Sequence, residues 1–497
     1  MNDSSHDHAA DVRRMNLGLL PKLGLFTTTM IVVGAMIGSG IFRKPGTMAG
    51  DLVGSGLGSP ELLIGVWILA GVITLFGALT NAEVAGQIPE TGGQYIYFDR
   101  MYGPFFAYIY GWGVFAVIQT GSIASIAYVF AEYLATVVAL PAATDAMSAF
   151  AVSVPGIGEV RPLANIGVKG VAATLIILLT VVNYIGVRFG GVVQNIFTVS
   201  KIAAILGLVL LALLSPGTGS AANLFNDATT TVHITGFGIA LAVAGALSGA
   251  FWAYDGWNNV TYISGEVKNA QYTIPRALIY GMAIVIGVYV LTNLAYAYVL
   301  PIETMATSSL VAADVANATW EGSGRWIAIA VMISTFGTTN GTILASARVY
   351  FSMSRRNVFP RFLGAAHPRF HTPAASLVVQ CLWSVALLFS GTFDTLTDTL
   401  IFISWIFYAA GAYGLFVLRR REPDAERPYR VPWYPAIPAI FIVFASIYLI
   451  LTLYNDISGY IAGKTPMVNS LFGSILVLVG VPLYFMYRSR MRKGSAS

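Results

Sequence analysis

Apolar stretches of about 20 residues recur twelve times along this chain, and a run of that length is what an α-helix needs to cross a bilayer's hydrocarbon core. They lie near residues 23–43, 61–82, 105–138, 167–186, 190–214, 237–265, 276–300, 325–353, 374–392, 398–418, 436–454 and 468–487. Segments such as 171–182 and 202–214 offer no polar face for water, which excludes a soluble helical bundle. Charged residues make up 10% of the 497 residues, against about 25% in soluble domains. The expected fold is therefore an all-α polytopic membrane protein with twelve transmembrane helices.

Sidedness follows from the cations. With twelve spans both termini share one side, and that side receives 21 of the 28 Lys and Arg residues. Six fall on the other side (Arg43, Lys44, Arg161, Lys169, Arg325 and Lys464), and Lys201 lies inside a span. Both termini are thus expected in the cytoplasm, with the chain in the inner membrane. The N-terminal stretch lacks the short apolar core and cleavage site of a removable signal peptide. The basic loops are explained by insertion energetics and anionic lipid, so no nucleic-acid partner is expected. The single cysteine, Cys381, excludes intramolecular disulfides and Cys-based zinc sites. The histidines show no ligand spacing, His6 and His8 lying in the polar start and His367 and His371 in a basic loop, so neither metal nor cofactor is expected.

Two spans carry an interruption: Gly38-Ser39-Gly40 in the first and Tyr254-Asp255-Gly256-Trp257-Asn258 in the sixth. Each opens a set of five spans, and breaks at matching positions of two halves point to an inverted repeat with a site near the membrane midplane. The expected organisation is a cytoplasmic segment 1–22, a first five-helix repeat 23–214, a second 237–418, two further helices within 436–487, and a cytoplasmic tail 488–497.

Non-helical backbone inside a bilayer exposes polar groups that cost several kcal/mol each if left unpaired, so a break persists only where protein, water or a ligand satisfies them. Glycines at 38 and 40 let the chain open and present N–H groups at the positive end of the following half-helix to a carboxylate, and Ser39 adds a hydroxyl. Carbonyls near Phe251 to Ala253 suit an ammonium group. The two ends together fit a zwitterion. The competing explanation, glycines as close-packing points between helices, is weakened by their paired occurrence. Lys201 sits too deep to reach water easily, and its ammonium suits the place of a bound cation, against freed carbonyls of the first span and hydroxyls of the eighth. Asp255 has three readings: partner of a cationic substrate side chain, counter-charge to Lys201 or another buried donor, or a carboxyl that stays protonated.

These residues resemble the L-type amino acid transporter family of the amino acid, polyamine and organocation superfamily. The likeness runs through Val33-Gly34-Ala35-Met36-Ile37-Gly38-Ser39-Gly40-Ile41-Phe42, the stretch 194–201 ending in Lys201, FWAYDGWNNVTYISGEVKN at 251–269, YVLTNLAY at 289–296, 336–363, HPRFHTP at 367–373 and RREPDAERPYRVP at 420–432. It implies a LeuT-like five-plus-five inverted repeat with helices 1 and 6 unwound, two extra C-terminal helices, and sodium-independent exchange of amino acids by alternating access. By the same resemblance Ile37, Ser39 and Gly40 meet the carboxylate, while Trp252, Ala253 and Tyr254 line the ammonium side, Trp252 serving as an aromatic gate; Gly38 and Phe251 join these substrate-binding candidates from the breaks themselves. Lys201 takes the place of a sodium ion, with Thr338 as hydroxyl partner, and Tyr289, Asn258 and Ser404 match positions near the substrate or its support. For Tyr289 and Ser404 ordinary helix packing explains the positions equally well. Residues 140–169 lack the cysteine through which some relatives bind a heavy chain, so no disulfide-linked partner is expected.

The leading expectation is an obligatory exchanger of α-amino acids, with lipid and substrate as its only expected partners and the oligomeric state open. Proton-coupled symport, with Lys201 releasing its proton during the cycle, and an amino acid sensor without net transport are the alternatives. No nucleophile, base and orienting residue occur together at a plausible depth, so catalysis is not expected.

Overall fold

The computed structural model describes residues 21–154, 157–186, 191–228, 236–356, 358–370 and 372–494. Most of the segment 1–22, with His6, His8, Arg13 and Arg14, lies outside the described residues, as do Arg188, His371 and the last three residues of the tail.

Eleven helices among the described residues are long and apolar enough to cross a membrane. The first crossing combines α1 (Leu25–Met36) and α2 (Gly40–Gly54), and α3 (Pro60–Gln87) follows. The next joins α4 (Pro104–Gly113) to α5 (Gln119–Ala135) through a π-helical turn at Val114–Ile118. Then come α6 (Ile166–Ile185), α7 (Gly191–Leu214), and α8 (Phe237–Tyr254) continued by a 3-10 segment, Trp257–Glu266. The second half holds α9 (Ala270–Val299), α10 (Gly324–Arg355), α11 (Ala374–Leu388), α12 (Phe393–Arg421) and α13 (Ala436–Ile461), and the last crossing joins α14 (Asn469–Leu478) to α15 (Gly480–Gly494). The window expected at 374–392 is the exception, because α11 has only 15 residues and spans about 22 Å.

Local chemistry sets the helix ends. Ser59 caps α3 by accepting the Leu62 N–H at 3.3 Å, with Pro60 at the first helical position, where a missing N–H costs nothing. Thr392 caps α12 through the Thr395 N–H at 3.4 Å, Asp394 stands in the first turn and Arg419 to Arg421 in the last, each charge matching the helix dipole. Gly186 closes α6 in the left-handed region at φ 80°.

Two corrections concern the sequence reading. The fold is not purely helical, since the connection before α6 carries an antiparallel hairpin, Val152–Val154 with Gly158–Val160. It docks on the loop before α14, where Glu159 N–H donates to Pro466 O at 2.8 Å and Val468 N–H to Ile157 O at 2.9 Å. Arg43 and Lys44, assigned above to a loop, lie within a helix, because α2 runs on to Gly54 and nearby carboxylates neutralise both cations.

In the bundle α2 packs along α8, α3 and α1 along α9, and α10 along α5. The entry to α1 is tied to the end of the sixth crossing, Leu23 N–H donating to Glu266 O at 3.0 Å and Lys268 N–H to Leu23 O at 2.9 Å. At the far end of α3, the fully buried Glu83 accepts a two-pronged bond from Arg419 at 2.8 and 2.7 Å and a third from Val431 N–H at 2.7 Å. One carboxylate thus joins α3, α12 and the loop after it. Removing one partner of a buried ion pair strands the other, so Glu83→Ala is expected to destabilise the purified protein by about 3–5 kcal/mol, read as a lowered unfolding midpoint in detergent.

Candidate functional site

The first crossing breaks where the sequence says it should. α1 ends at Met36, Ile37 adopts φ −73° and ψ 84°, and Gly38 N–H closes a tight turn on Met36 O at 2.8 Å. Ser39 then starts α2, its carbonyl accepting from Phe42 and Arg43 at 3.2 and 3.1 Å. The first N–H groups of α2 have no preceding turn to bond and face the break. In the sixth crossing α8 ends at Tyr254, Asp255 is extended at ψ 161°, and Gly256 reverses the chain at φ 94°, a conformation that strains any residue with a Cβ.

The two breaks lie against each other. A Cβ on Gly40 would stand 2.5 Å from Ala253 Cα, and one on Gly256 would stand 3.0 Å from Ala35 O. These two glycines are required by close approach, not by flexibility alone. Tyr289 of α9 locks the junction: its hydroxyl lies 2.8 Å from Met36 O and 3.0 Å from Ala253 O, the freed carbonyls of both broken helices.

Between the breaks is a narrow, partly open chamber. Its walls are Ala35, Met36, Gly38, Ser39 and Gly40 from the first crossing, Trp252, Asp255, Gly256 and Asn259 from the sixth, Gln119, Ser122 and Ile126 from α5, and Thr338 and Thr342 from α10. Three buried polar atoms on these walls have no hydrogen-bond partner among the described residues: Ser39 Oγ, Trp252 Nε1 and Gln119 Oε1. Stranded polar atoms are costly in an apolar bundle, and three converging on one chamber suit a polar ligand.

Lys201 is buried behind the first break. Its Nζ lies 3.3 Å from Gly34 O and 3.1 Å from Ile37 O and donates to Thr338 Oγ1, so an ammonium gathers the loose carbonyls of α1 as a small cation would. Asp255 does not pair with Lys201. Its Oδ1 accepts from Tyr408 of α12 at 2.6 Å, and the sequence analysis missed Tyr408. Asn258 supports the chamber from below, with Nδ2 donating to Gln94 Oε1 at 3.0 Å, while the neighbouring Asn259 is on the wall.

Of the other expected residues, Ile37, Ala253 and Tyr289 serve through the backbone junction. Phe251 and Tyr254 line a smaller cavity beside Trp405 and Tyr408, whose wall Asp255 shares with the main chamber, and the Phe251 ring centroid is 3.9 Å from that of Trp405. Ser404 is buried on α12 and is not on the chamber wall. Gln119, Ser122, Ile126 and Asn259 were not anticipated. Their one sequence signal is the 3, 4 spacing of Gln119, Ser122 and Ile126 on a single helix face.

Beyond Trp252 the chamber is roofed by charge. Trp252 meets the Phe393 ring edge-on at 6.1 Å, and Arg43 and Lys44 lie over the same ring at 5.5 and 4.9 Å. Lys44 Nζ contacts Asp394 Oδ1 at 2.7 Å and Asp398 Oδ1 at 3.8 Å, and Arg43 reaches Glu132 at 3.4 Å. The cluster joins α2, α5 and α12 over one side of the chamber.

A bundle of membrane-crossing helices, two of them broken around a polar chamber, defines a polytopic membrane protein. The amino acid permease family model matches residues 23–481, and the chain belongs to that family. It is similar to the serine/threonine exchanger SteT of Bacillus subtilis, 29% identical over 477 residues that cover 95% of this chain and 98% of that protein. It is likewise similar to the human b(0,+)-type amino acid transporter 1, 30% identical with 94% and 88% covered, and to the human cystine/glutamate transporter, 30% identical with 94% and 85% covered.

The Gly40 contact gives a direct check. Gly40→Ala is expected to abolish solute uptake by reconstituted vesicles, whereas Gly54→Ala, with nothing within 4 Å of the new methyl, leaves uptake unchanged.

Proposed function

We propose that this protein exchanges α-amino acids across the bacterial inner membrane by alternating access around the two breaks. The observation that carries the reading is the Gly40–Ala253 and Gly256–Ala35 contact, which brings the positive start of α2 and the sixth-crossing break to one chamber. A substrate carboxylate bonds the N–H groups and hydroxyl at Ser39 and Gly40. The ammonium lies toward the carbonyls at the end of α8, and Trp252 closes over the ligand. The exchangers among its relatives, by name the serine/threonine exchanger and the cystine/glutamate transporter, support the same mode.

The architecture proposed is a five-plus-five inverted repeat, 23–214 and 237–418, followed by the two helices of 436–487. α11 is the ninth of twelve crossings, and both termini are cytoplasmic. Under this topology the Arg43–Lys44–Asp394 cluster lies on the outer side of the chamber and must part for outward opening.

Lys201 carries the sodium independence, since its ammonium already occupies the carbonyl site of α1. Replacing sodium with choline is expected to leave uptake unchanged, while Lys201→Ala lowers it by about 100-fold or more, measured as initial rates in proteoliposomes; such a buried donor leaves several unpaired acceptors when removed. Counterflow decides the mode: labelled amino acid should accumulate only in vesicles preloaded with unlabelled amino acid. Uptake into empty vesicles driven by a pH gradient would instead establish proton symport.

The Asp255 carboxylate on the wall supports acceptance of cationic side chains. Asp255→Ala is expected to weaken competition by lysine and arginine more than by alanine and serine; equal losses for all four would remove this reading.

A further inference from the structure

We propose that Gln119 is a specificity-determining residue: its amide oxygen accepts a hydrogen bond from a short side-chain donor of the substrate, so the site prefers amino acids bearing a hydroxyl or amino group to apolar molecules of the same shape. The proposal rests on the amino acid transport reading and concerns the part of the ligand that reading leaves free.

Gln119 occupies a built position. It is the residue at which the π-helical turn Val114–Ile118 hands over to α5, and its N–H donates to Val114 O, five residues back. Thr120 repeats the spacing, its hydroxyl donating to Phe115 O at 2.6 Å. A π-turn inserts one residue into a helix, weakens the ladder and rotates everything after it, and such turns concentrate at functional sites. Here the rotation puts Gln119, Ser122 and Ile126 on the chamber wall.

The side chain is then fixed from the sixth crossing. Gln119 Nε2 donates to Asn259 Oδ1 at 3.0 Å, and Asn259 N–H is itself bound to Gly256 O at 3.1 Å, next to the sixth-crossing break. With its nitrogen held, Gln119 is 4% exposed and its Oε1 has no partner among the described residues. A pre-oriented, buried acceptor discriminates strongly, because an apolar ligand leaves it unpaired while a donor satisfies it. Gln119 shares the chamber lining with Gly38 to Gly40, where the proposed reading puts the carboxylate, and with Asp255, so its acceptor is available to the rest of the substrate.

The test uses threonine and valine, which share a shape and differ by one hydroxyl. In proteoliposomes exchanging labelled alanine, half-inhibition concentrations are measured for both competitors with wild type, Gln119→Leu and Gln119→Glu. The wild type is expected to favour threonine by about tenfold or more, the Leu variant to bring the ratio close to one, and the Glu variant, which restores an acceptor, to recover the preference. If the Leu variant does not assemble, Gln119→Met reads the same loss. A ratio near one in the wild type, or one unchanged in the Leu or Met variant, overturns the proposal while the transport reading stands. Absence of alanine exchange in the wild type overturns the transport reading and this proposal with it. A merely structural role for Gln119 would lower all exchange and leave the ratio where it was.

Discussion

Open backbone inside a membrane must be satisfied by something, and that constraint organises the centre of this protein. Each missing helical bond costs several kcal/mol in hydrocarbon, so a chain that breaks two helices at the same depth has to bring their ends to common partners. Tyr289 shares its hydroxyl between Met36 O and Ala253 O, Lys201 gathers Gly34 O and Ile37 O, and the glycines at 40 and 256 let the two breaks touch. Of the buried polar side-chain atoms left without a partner among the described residues, those of Ser39, Trp252 and Gln119 belong to residues that line one chamber. Binding and structure are thus two uses of the same stranded dipoles.

The surroundings separate into parts with different duties. Near the breaks, polar groups are buried and partly unpaired, as at Ser39, Trp252 and Gln119. Further out, buried charges meet opposite ones, as Lys44 does with Asp394 and Glu83 with Arg419. Matched buried charge holds helices in register; unmatched polarity leaves work for a ligand. The roof of Arg43 and Lys44 on Phe393, itself against Trp252, connects the two regions. A change in ligand contact at Trp252 therefore bears directly on the charge cluster.

Much of this was legible before any coordinates, because membrane insertion writes its rules locally. Eleven of the twelve apolar windows matched helices long enough to cross a membrane, and the breaks at Gly38 to Gly40 and Asp255 to Gly256 are where runs of small and polar residues said they would be. Lys201 stood out as a charge in an apolar run, and its bond to Thr338 followed from the resemblance. Long-range pairing was invisible. Arg43 and Lys44 read as loop cations because nothing nearby announces Asp394, some 350 residues later. Gln119 drew no notice in the sequence, since its π-turn is a backbone event without a sequence signature. Asn259, one position after the expected Asn258, stands on the chamber wall, and nothing in the local sequence separates the two.

The central claim is that both ends of a zwitterion are held by main-chain dipoles at the two breaks, independently of the side chain. Binding of one amino acid, its amide and its N-acetyl derivative to the purified protein, followed by ligand-induced thermal stabilisation, tests it most directly. The account predicts that masking either the carboxylate or the ammonium removes the stabilisation, for a polar and an apolar side chain alike. Retention of binding by the amide or the N-acetyl derivative would contradict it.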